Sequence, residues 1–222
     1  MSSSSSTQIL SDIFTGIYKN NYWEMGQADS KSGLGSSMIY TRSISENIIR
    51  IIKEYNIKNF VDTSCGDWFW MKSIRNQLDC NYTGIDIVSD VIQTNITNYS
   101  NDTTRFIHGD FINVLKTMAD KSIDLLLCRH TCEHLPTEYV LELIKEAKRT
   151  SKYFLLTTKT TDSESPINTE LTVSASPYRP INLHLPPYST VLDQYLVEKI
   201  YDGPSTQHDP EMYINMYRLN IE

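Results

Sequence analysis

The feature of this sequence that most constrains its fold is a repeated alternation of strand and helix patterns over residues 59–157. Short apolar runs that end in turn residues alternate with stretches of helical periodicity. Strands joined by helices in this way form parallel βαβ units, and several such units make a doubly wound α/β sheet. The predicted strands are residues 59–64, 82–87, 105–108, 123–128 and 152–157. The predicted helices are residues 68–78, 89–98, 111–118 and 136–149.

The C-terminal part of the chain has a different pattern. Residues 195–201 and 212–219 are strand-like runs on either side of the turn residues Asp202, Gly203 and Pro204. Two strands around such a turn predict an antiparallel hairpin that closes one edge of the sheet. We therefore expect a mostly parallel sheet of α/β type with an antiparallel C-terminal hairpin and helices on both faces.

The N-terminal part is predicted to form two segments ahead of the main domain. Residues 1–7 are a serine-rich run, which predicts a disordered tail. Residues 8–42 are predicted to be a lid or cap of irregular or partly helical structure that carries aromatic residues such as Trp23. The main domain is predicted to span residues 43–222 and to open with a helix whose first residue, Ser43, matches the start of a capping box.

Charge and composition exclude two classes of function. The chain has 222 residues and a formal net charge of −7, which argues against a nucleic-acid partner held through its phosphates. No apolar run reaches the length of about 18 residues that a membrane span needs. The four cysteines show no Cys-x-x-Cys spacing and the first residues show no secretory signal, so we expect reduced thiols in a cytoplasmic protein.

Acidic side chains lie at the ends of three successive predicted strands. Asp62 and Asp67 belong to the first strand and its loop, Asp86 ends the second strand, and Asp110 follows the third. Because open α/β sheets bind ligands at the carboxyl ends of their strands, we expect these carboxylates at one site. The first loop has a single glycine, Gly66, instead of the three of a pyrophosphate loop. Its carboxylates suit a cation, and S-adenosylmethionine carries an ammonium and a sulfonium group.

The strand-end acids predict particular contacts. Asp86 lies twenty residues beyond Gly66, where an acid can accept hydrogen bonds from both hydroxyls of a ribose. Asp110 is expected beside an adenine amino group, with Phe111 against the ring. Each acid also has a second interpretation as the N-cap of the helix that follows its strand.

The order of these motifs resembles that of class I S-adenosylmethionine-dependent methyltransferases. The motifs that carry the resemblance are Asp-Thr-Ser-Cys-Gly-Asp-Trp-Phe-Trp-Met at 62–71, Gly-Ile-Asp-Ile at 84–87, Gly-Asp-Phe at 109–111 and Asp-Leu-Leu-Leu-Cys-Arg at 124–129. Ser-Gly-Leu-Gly-Ser at 32–36 and Arg-Pro-Ile-Asn-Leu at 179–183 make it similar to a branch often found in the glycan biosynthesis of bacteria and large DNA viruses.

This resemblance implies a Rossmann-like fold with a seven-stranded sheet, and S-adenosylmethionine as the cofactor. Two positions depart from the family's first motif, since Ser64 replaces its first glycine and Trp68 its third. We expect the backbone at Ser64 to avoid the left-handed region, and Trp68 and Trp70 to line the methionine pocket. The residues predicted to bind the cofactor are Asp62, Ser64, Gly66, Asp67, Trp68, Trp70, Asp86, Ile87, Gly109, Asp110, Phe111, Cys128 and Arg129.

Residues 128–134, which read Cys-Arg-His-Thr-Cys-Glu-His, border the transferable methyl group in this family. A hydroxyl acceptor must lose its proton, and a group with a pKa near neutrality removes it best. We expect His130 to be the general base, with His134 as the alternative and Glu133 orienting either ring. In a second interpretation, His134 is packed before Pro136 and Glu133 caps the next helix. The two histidines lack a third ligand, so no metal is predicted.

The segment 176–188 is long and rich in proline, and loops of this kind at a sheet edge are commonly functional. Its aromatic and hydrogen-bonding side chains suit a sugar, while a rigid loop that covers the sheet edge is the alternative. The residues predicted to bind the acceptor are Trp23, Arg129, Tyr178, Arg179, Asn182 and His184.

The sequence thus predicts an O-methyltransferase for a hydroxyl of a sugar or glycan precursor. Two alternatives stay open at this point. One is methylation of another small molecule, either phosphorylated or amino-bearing, and the other is binding of S-adenosylmethionine without catalysis. The oligomeric state does not follow from the pattern.

Overall fold

The predicted strands are present in the computed structural model, which describes residues 3–24, 29–159, 167–171, 178–202 and 212–219. The strands are β1 (Asn59–Thr63), β2 (Asn81–Asp86), β3 (Thr104–His108), β4 (Ile123–Cys128), β5 (Ser151–Lys159), β6 (Leu196–Tyr201) and β7 (Met212–Arg218). They form one seven-stranded sheet in the order β3-β2-β1-β4-β5-β7-β6.

The pairing of the strands confirms the predicted mostly parallel sheet. Strands β1 to β5 pair in parallel, whereas β7 runs antiparallel to both β5 and β6. The predicted C-terminal hairpin is therefore present, and its connection, residues 203–211, lies outside the described residues. Leu125, Leu126 and Leu127 of β4 are all fully buried, as is typical of a central strand that is covered on both faces.

Helices cover both faces of the sheet, as predicted. They are α1 (Ser3–Lys19), α2 (Met38–Glu54), α3 (Met71–Ile74), α4 (Ser89–Tyr99), α5 (Phe111–Thr117), α6 (Thr137–Thr150) and α7 (Ser189–Leu192). Helices α1, α5, α6 and α7 contribute buried apolar residues to one cluster, and α2, α3 and α4 contribute to the other. The two clusters lie on opposite sides of the sheet because neighbouring residues of a strand, such as Leu126 and Leu127, belong to different clusters.

Helix α1 is longer and more regular than predicted. It begins at Ser3, so residues 3–7 are helical where the serine run predicts disorder, and residues 8–19 form one helix where partly irregular structure is expected. Leu10, Phe14 and Ile17 recur at helical spacing and are buried in the core. This apolar face stabilises the helix through packing.

Helix α2 begins five residues earlier than the capping-box pattern predicts. Its N-cap position is Ser37, and Ser43 lies inside the helix. The Ser43 hydroxyl donates to the backbone carbonyl of Tyr201 at 2.7 Å, which ties α2 to the edge strand β6. The predicted capping role of Ser43 is therefore wrong, and its real partner is 158 residues away in the sequence.

The predicted helix at 68–78 is also shorter than expected. Trp68 has a φ of 58°, in the left-handed region, which a helix interior does not allow. Helix α3 covers Met71–Ile74 and continues as a single 3₁₀ turn at Arg75–Gln77. The buried guanidinium of Arg75 donates to the carbonyls of Leu78 and Cys80 and holds the chain in this turn.

The strand order has a switch point at β1, which is where a sheet of this type binds ligands. The chain leaves β1 toward β2 on one side and later returns to place β4 on the other side of β1. A crevice forms at such a switch point, outside the carboxyl ends of the strands. None of the helices in the described part of the chain is both long enough and apolar enough to span a membrane.

Candidate functional site

The carboxyl ends of β1, β2 and β4 open on a cleft of about 890 Å³, which α1 and the segment after it cover. This volume includes space that is open to solvent. The lining combines a sheet-side set of polar residues with an apolar set from α1. The predicted site residues that line the cleft are Trp23, Asp62, Ser64, Gly66, Trp70, Asp86, Ile87, Asp110, Phe111, Arg129, His130 and His134.

Asp86 lines the cleft and also caps a helix. Its carboxylate accepts hydrogen bonds from the backbone amides of Gly66 at 2.9 Å and Val88 at 3.0 Å. Burial raises the pKa of Asp86 above its usual value, and these amide donors partly offset the rise. The two interpretations of the strand-end acids are therefore compatible, since one carboxylate both fixes the loop and faces the cleft.

Asp62 is a buried cleft residue with a strongly shifted pKa. Its carboxylate accepts a 2.8 Å hydrogen bond from the Tyr82 hydroxyl. Burial is the largest influence and, with the nearby charge of Asp86, raises the pKa of Asp62 to about 7, against the lowering effects of Tyr82 and Arg129. At neutral pH this carboxyl is poised between its two protonation states, so a cationic ligand beside it would favour the ionised form.

Asp110 joins the sheet to the covering helix. It caps α5 by accepting from the backbone amides of Ile112 at 2.9 Å and Asn113 at 3.3 Å. Its other oxygen accepts from the Thr7 hydroxyl at 2.8 Å and from the Tyr139 hydroxyl. Helix α1 is thus held at the mouth of the cleft by a polar contact as well as by its apolar face.

Asp67 does not line the cleft, in contrast to the prediction. Its carboxylate faces outward and accepts from the hydroxyls of Ser30 and Ser32, each at 2.9 Å, and from the backbone amide of Lys31 at 2.8 Å. Asp67 therefore fastens the N-terminal segment to the β1 loop. The Ser-Gly-Leu-Gly-Ser motif owes part of its position to this contact.

Trp68 is also outside the cleft. Its ring packs in the apolar cluster on the opposite face of the sheet, with ring centroids 5.0 Å from Tyr99, 5.1 Å from Phe106 and 5.6 Å from Tyr82. The backbone at Trp68 is left-handed, and its side chain does not line the cleft. Of the two tryptophans predicted to line the site, the structure places Trp70 alone there.

Gly109 and Cys128 are the other predicted cofactor residues that do not line the cleft. The Sγ atom of Cys128 is fully buried 3.7 Å from that of Cys132. Gly109 donates its amide to the carbonyl of Asp86. Cys128 therefore lies at the end of β4 and Gly109 directly after β3, and neither is in the cleft wall.

The loop after β1 has three left-handed residues, which are Ser64, Gly66 and Trp68. Gly66 has a φ of 55°, and a Cβ there would lie 2.3 Å from Ser32 Oγ and 2.8 Å from the Tyr18 hydroxyl oxygen. Ser64 has a φ of 66°, so the expectation that it avoids the left-handed region is wrong. Its hydroxyl contacts the Thr131 hydroxyl and its neighbour's carbonyl, and serine is able to make such local contacts.

His130 lies between two carboxylates. Its Nε2 is 3.1 Å from Asp202 and its Nδ1 is 3.3 Å from Glu133. Burial and the charge of Arg129 lower the pKa of His130, but the two carboxylates outweigh them and the pKa is raised overall. In the opposite direction, His130 lowers the pKa of Glu133 despite the burial of that carboxylate.

This geometry corrects the predicted role of His130. Ionised carboxylates only accept hydrogen bonds, so both ring nitrogens must carry hydrogen to satisfy them. An imidazole in this state has no nitrogen lone pair with which to take a proton from an acceptor. The prediction that Glu133 orients a histidine ring agrees with the 3.3 Å contact to His130.

His134 belongs to an aromatic cluster, which we define as Trp23, His134 and Tyr178. The ring centroid of His134 is 5.4 Å from that of Trp23 and 5.7 Å from that of Tyr178. His134 is half-buried and lines the cleft, four residues after His130 in the sequence. Tyr178 does not line the cleft, but its ring packs against the ring of His134, which does.

The remaining predicted acceptor residues have other partners. Arg179 is buried and donates to the carbonyl of Thr169 at 2.9 Å and to the Tyr188 hydroxyl at 3.0 Å. The side-chain oxygen of Asn182 accepts a 2.9 Å hydrogen bond from the backbone amide of His184. These contacts favour the rigid-loop interpretation for residues 178–188.

His184 also faces away from the cleft. Its Nε2 is 3.1 Å from the side-chain amide of Asn215, and its Nδ1 is 3.6 Å from Asp193. The His184 ring therefore links the segment after β5 to strand β7. Its predicted role in acceptor binding is not supported by this position.

Several lining residues were missed by the sequence prediction. Those from α1 and its surroundings are Leu10, Phe14, Tyr18, Ser32 and Ser36, and those from the sheet side are Cys65, Thr131, Leu135 and Tyr139. The spacing of Leu10, Phe14 and Tyr18 is that of one helix face, and this periodicity was the available signal. Among the described residues, no group of three or more His, Cys, Asp or Glu side chains is arranged to hold a metal ion.

Comparison with known proteins agrees with this geometry. Residues 61–153 match the family model of a methyltransferase domain. The matched part of the chain contains Asp62, Asp86, Asp110 and His130. The match confirms the predicted resemblance at the level of a methyltransferase, while the glycan-biosynthesis branch stays a prediction. No curated protein matches the chain by sequence.

Solved structures of S-adenosylmethionine-dependent methyltransferases share the fold. The 1,6-didemethyltoxoflavin-N1-methyltransferase of Burkholderia thailandensis, solved with 1,6-didemethyltoxoflavin and S-adenosylhomocysteine, aligns with a TM-score of 0.69 and 13% identity over 98% of this chain and 90% of its own. Human N-acetylserotonin methyltransferase, solved with S-adenosylmethionine, has a TM-score of 0.54 and 13% identity over 80% of this chain and 52% of its own.

A third neighbour, an S-adenosylmethionine-dependent methyltransferase from Archaeoglobus fulgidus, has a TM-score of 0.52 and 15% identity over 80% of this chain and 96% of its own. At these identities the likeness shows the fold. The chain therefore shares the Rossmann-like fold of these methyltransferases, as the sequence predicts.

Proposed function

We propose that the chain is an S-adenosylmethionine-dependent methyltransferase that acts on a hydroxyl of a small molecule, with a sugar or glycan precursor as the acceptor class. The observation that carries the proposal is the convergence of Asp62, Asp86 and Asp110 on one cleft. The match to a methyltransferase domain and the fold support the same activity.

The cleft residues fit S-adenosylmethionine chemically. The cofactor supplies an electrophilic methyl group on a sulfonium, and its charge suits a cleft whose sheet side carries three carboxyl groups. Asp86 is the residue proposed to hold the ribose hydroxyls. Asp110 and Phe111 are proposed to hold the adenine, and Asp62 is proposed to hold the ammonium group.

We assign the role of general base to His134. Both ring nitrogens of His130 face carboxylates, and His134 is the second histidine that lines the cleft among the described residues. In this role, His134 takes the proton of the acceptor hydroxyl as the oxygen attacks, so that the acceptor leaves as an ether and the proton stays on the ring. General bases of this kind contribute about 10² to 10⁴ in rate.

The acceptor class is proposed from the walls of the cleft. Trp23 and His134 line the cleft with rings, and Ser36 lines it with a hydroxyl-bearing side chain. Ring faces that pack on the C–H groups of a sugar, together with hydroxyls that bind its polar groups, are a suitable combination for a carbohydrate.

A planar heterocycle with a reactive nitrogen is the second candidate. The Burkholderia neighbour was solved with 1,6-didemethyltoxoflavin and is an N1-methyltransferase. The centroid separations of 5.4 Å and 5.7 Å in the aromatic cluster would also suit a flat ring. An amine or ring nitrogen with a free lone pair would need less help from His134, so the variant assay below separates the two candidates.

The test is a methyl-transfer assay that measures release of S-adenosylhomocysteine with a panel of neutral sugars and planar nitrogen heterocycles. For a hydroxyl acceptor, we expect His134→Gln to lower kcat by about 10²-fold or more. His108→Gln is the matched control, because His108 is an exposed histidine at the end of β3. Turnover of a sugar that His134→Gln leaves within about threefold of wild type would contradict the base assignment.

A further inference from the structure

The permanent cation of the cleft, Arg129, is compensated inside the protein. Its Nε donates to the Asp202 carboxylate at 2.9 Å, and the Asp202 side chain is fully buried. Its Nη1 donates to the carbonyl of Gly35 at 2.8 Å, and its guanidinium lies over the Trp70 ring at 5.6 Å. The guanidinium charge is therefore paired with Asp202 at the end of β6, and one further N–H group is bound by the N-terminal segment.

The second lining cation is His130, and it is compensated as well. Asp202 binds Nε2 and Glu133 binds Nδ1. Asp202 thus contacts both Arg129 and His130, and two buried carboxylates balance two cations. Arg129 and His130 lower the pKa of Asp202 even though burial raises it, so this carboxyl is ionised at neutral pH.

A third cation lies near this group but outside the cleft. Lys159, at the end of β5, has a relative exposure of 5% and does not line the cleft. Its Nζ is 3.5 Å from the Tyr178 hydroxyl and faces the charge of Glu133. Burial lowers the pKa of Lys159, which weakens it further as an anion site.

The segments that the structure does not describe cannot supply a strong cation. Residues 1–2, 25–28, 160–166, 172–177, 203–211 and 220–222 contain no lysine or arginine. They do contain Asp162, Glu164, Asp209 and Glu211. On the sequence alone, these segments add negative charge and not positive charge to the molecule.

We propose that the acceptor of this methyltransferase is an uncharged molecule, and that Asp202 is the residue that determines this specificity by neutralising Arg129 and His130. The inference rests on the proposed function and deepens it. An anionic group in the cleft would lose its hydration beside Asp62 and Asp86, while both lining cations are already paired with carboxylates. Phosphorylated and carboxylated acceptors are therefore rejected, and neutral hydroxyl compounds are accepted.

The test uses inorganic phosphate as the anionic probe. The full chain, loaded with S-adenosylhomocysteine, is titrated with phosphate by calorimetry, and cleft binding is defined as the component that Arg129→Met abolishes. We expect no such component in wild type. Asp202→Asn frees the guanidinium and should produce a saturable component of this kind. Asp202→Glu keeps the charge and should behave as wild type.

Either arm can overturn the proposal. Phosphate binding by wild type that Arg129→Met abolishes would show a free cation in the cleft. A folded Asp202→Asn variant that gains no phosphate binding would remove Asp202 from the role of specificity determinant. Affinity for S-adenosylhomocysteine and the melting temperature, recorded on each sample, report folding, and loss of S-adenosylhomocysteine binding by wild type would instead count against the proposed function.

The catalytic arm compares matched acceptors. Each neutral sugar that supports turnover is assayed beside its monophosphate. We expect kcat/KM for the phosphate to be lower by about tenfold or more in wild type, and this ratio to shrink in Asp202→Asn. Equal kcat/KM values in wild type would contradict the proposal.

Discussion

The backbone amide of Gly66 donates a 2.9 Å hydrogen bond to the carboxylate of Asp86, and this contact joins the loop after β1 to the end of β2. Asn95 of α4 donates to the carbonyl of the same glycine at 2.8 Å. Both polar groups of Gly66 are therefore held from the β2–α4 side. The loop that opens the cleft is fixed in the left-handed conformation before any ligand arrives, so binding would need little ordering of this backbone.

Gly66→Ala should destabilise the protein and loosen the covering segment. Its φ is 55°, and the new Cβ would meet Ser32 Oγ at 2.3 Å and the Tyr18 hydroxyl at 2.8 Å. We expect the free energy of unfolding to fall by about 1–3 kcal/mol in urea titrations. Gly16→Ala in α1 is the matched control, because nothing lies within 4 Å of its Cβ position. That control should be neutral or stabilising, and equal losses in both variants would refute the steric account.

The affinity for S-adenosylhomocysteine should rise as the pH increases through about 7. The pKa of Asp62 is raised to about 7, so the carboxyl loses its proton in this range and can then pair with the ligand's ammonium group. Calorimetry across this range should show the rise in wild type and a flat profile in Asp62→Asn. Tyr82→Phe removes a hydrogen bond that lowers the pKa, so its midpoint should move to higher pH. A wild-type profile without a midpoint would count against this pairing.

The same shift has a consequence for stability without ligand. At a pH between 3.8, the ordinary pKa of an aspartate, and about 7, Asp62 keeps its proton in the folded chain and loses it in the unfolded chain. The contribution of Asp62 to the free energy of unfolding is therefore full below 3.8 and is lost as the pH rises through about 7. Asp62→Asn should lack this part of the pH dependence in urea titrations.

His130 should titrate above the usual histidine range. Its pKa is raised because the contacts with Asp202 and Glu133 outweigh burial and the charge of Arg129. Ring NMR titrations should show a lower pKa for His130 in Asp202→Asn and in Glu133→Gln. Asp193→Asn is the control, because Asp193 lies 3.6 Å from His184 instead. The His130 contribution to stability is full below the unfolded pKa of about 6.5 and is lost as the pH rises through the folded value.

Arg179→Met should act on stability and not on ligand binding. The buried guanidinium donates to Thr169 and Tyr188 within the loop that follows β5. We expect a loss of about 1.5–3 kcal/mol in the free energy of unfolding, with the affinity for S-adenosylhomocysteine unchanged. Arg42→Met is the control, since the Arg42 side chain is 83% exposed. A stable Arg179→Met variant with impaired acceptor binding would restore the acceptor role that the sequence predicts.

The sheet could be predicted from the sequence because its signal is local. Each of the five parallel strands is a short apolar run bounded by turn residues, and each helix between them has its own periodicity. The exact bounds depend on longer-range contacts. Ser43 illustrates this, because its hydroxyl is bound by the edge strand and not by its own helix end.

The site could be predicted only in part, since side-chain direction depends on backbone dihedrals that the sequence does not reveal. Asp62, Asp86 and Asp110 follow their strands directly and reach the cleft. Asp67 and Trp68 lie past a left-handed residue, and that turn points them at the N-terminal segment and the opposite face. The role of Asp202 was not predictable, because this residue follows β6 and lies 73 residues after Arg129 in the sequence.

The measurement that tests the central claim most directly is calorimetric titration of S-adenosylmethionine and S-adenosylhomocysteine into wild type, Asp86→Ala and Asp90→Ala. Asp90 is an exposed acid on α4, four residues beyond Asp86, and serves as the control. We predict saturable binding by wild type, no change in Asp90→Ala, and a loss of about 2 kcal/mol or more in Asp86→Ala. Absence of binding by folded wild type, or equal binding by all three proteins, would contradict the account.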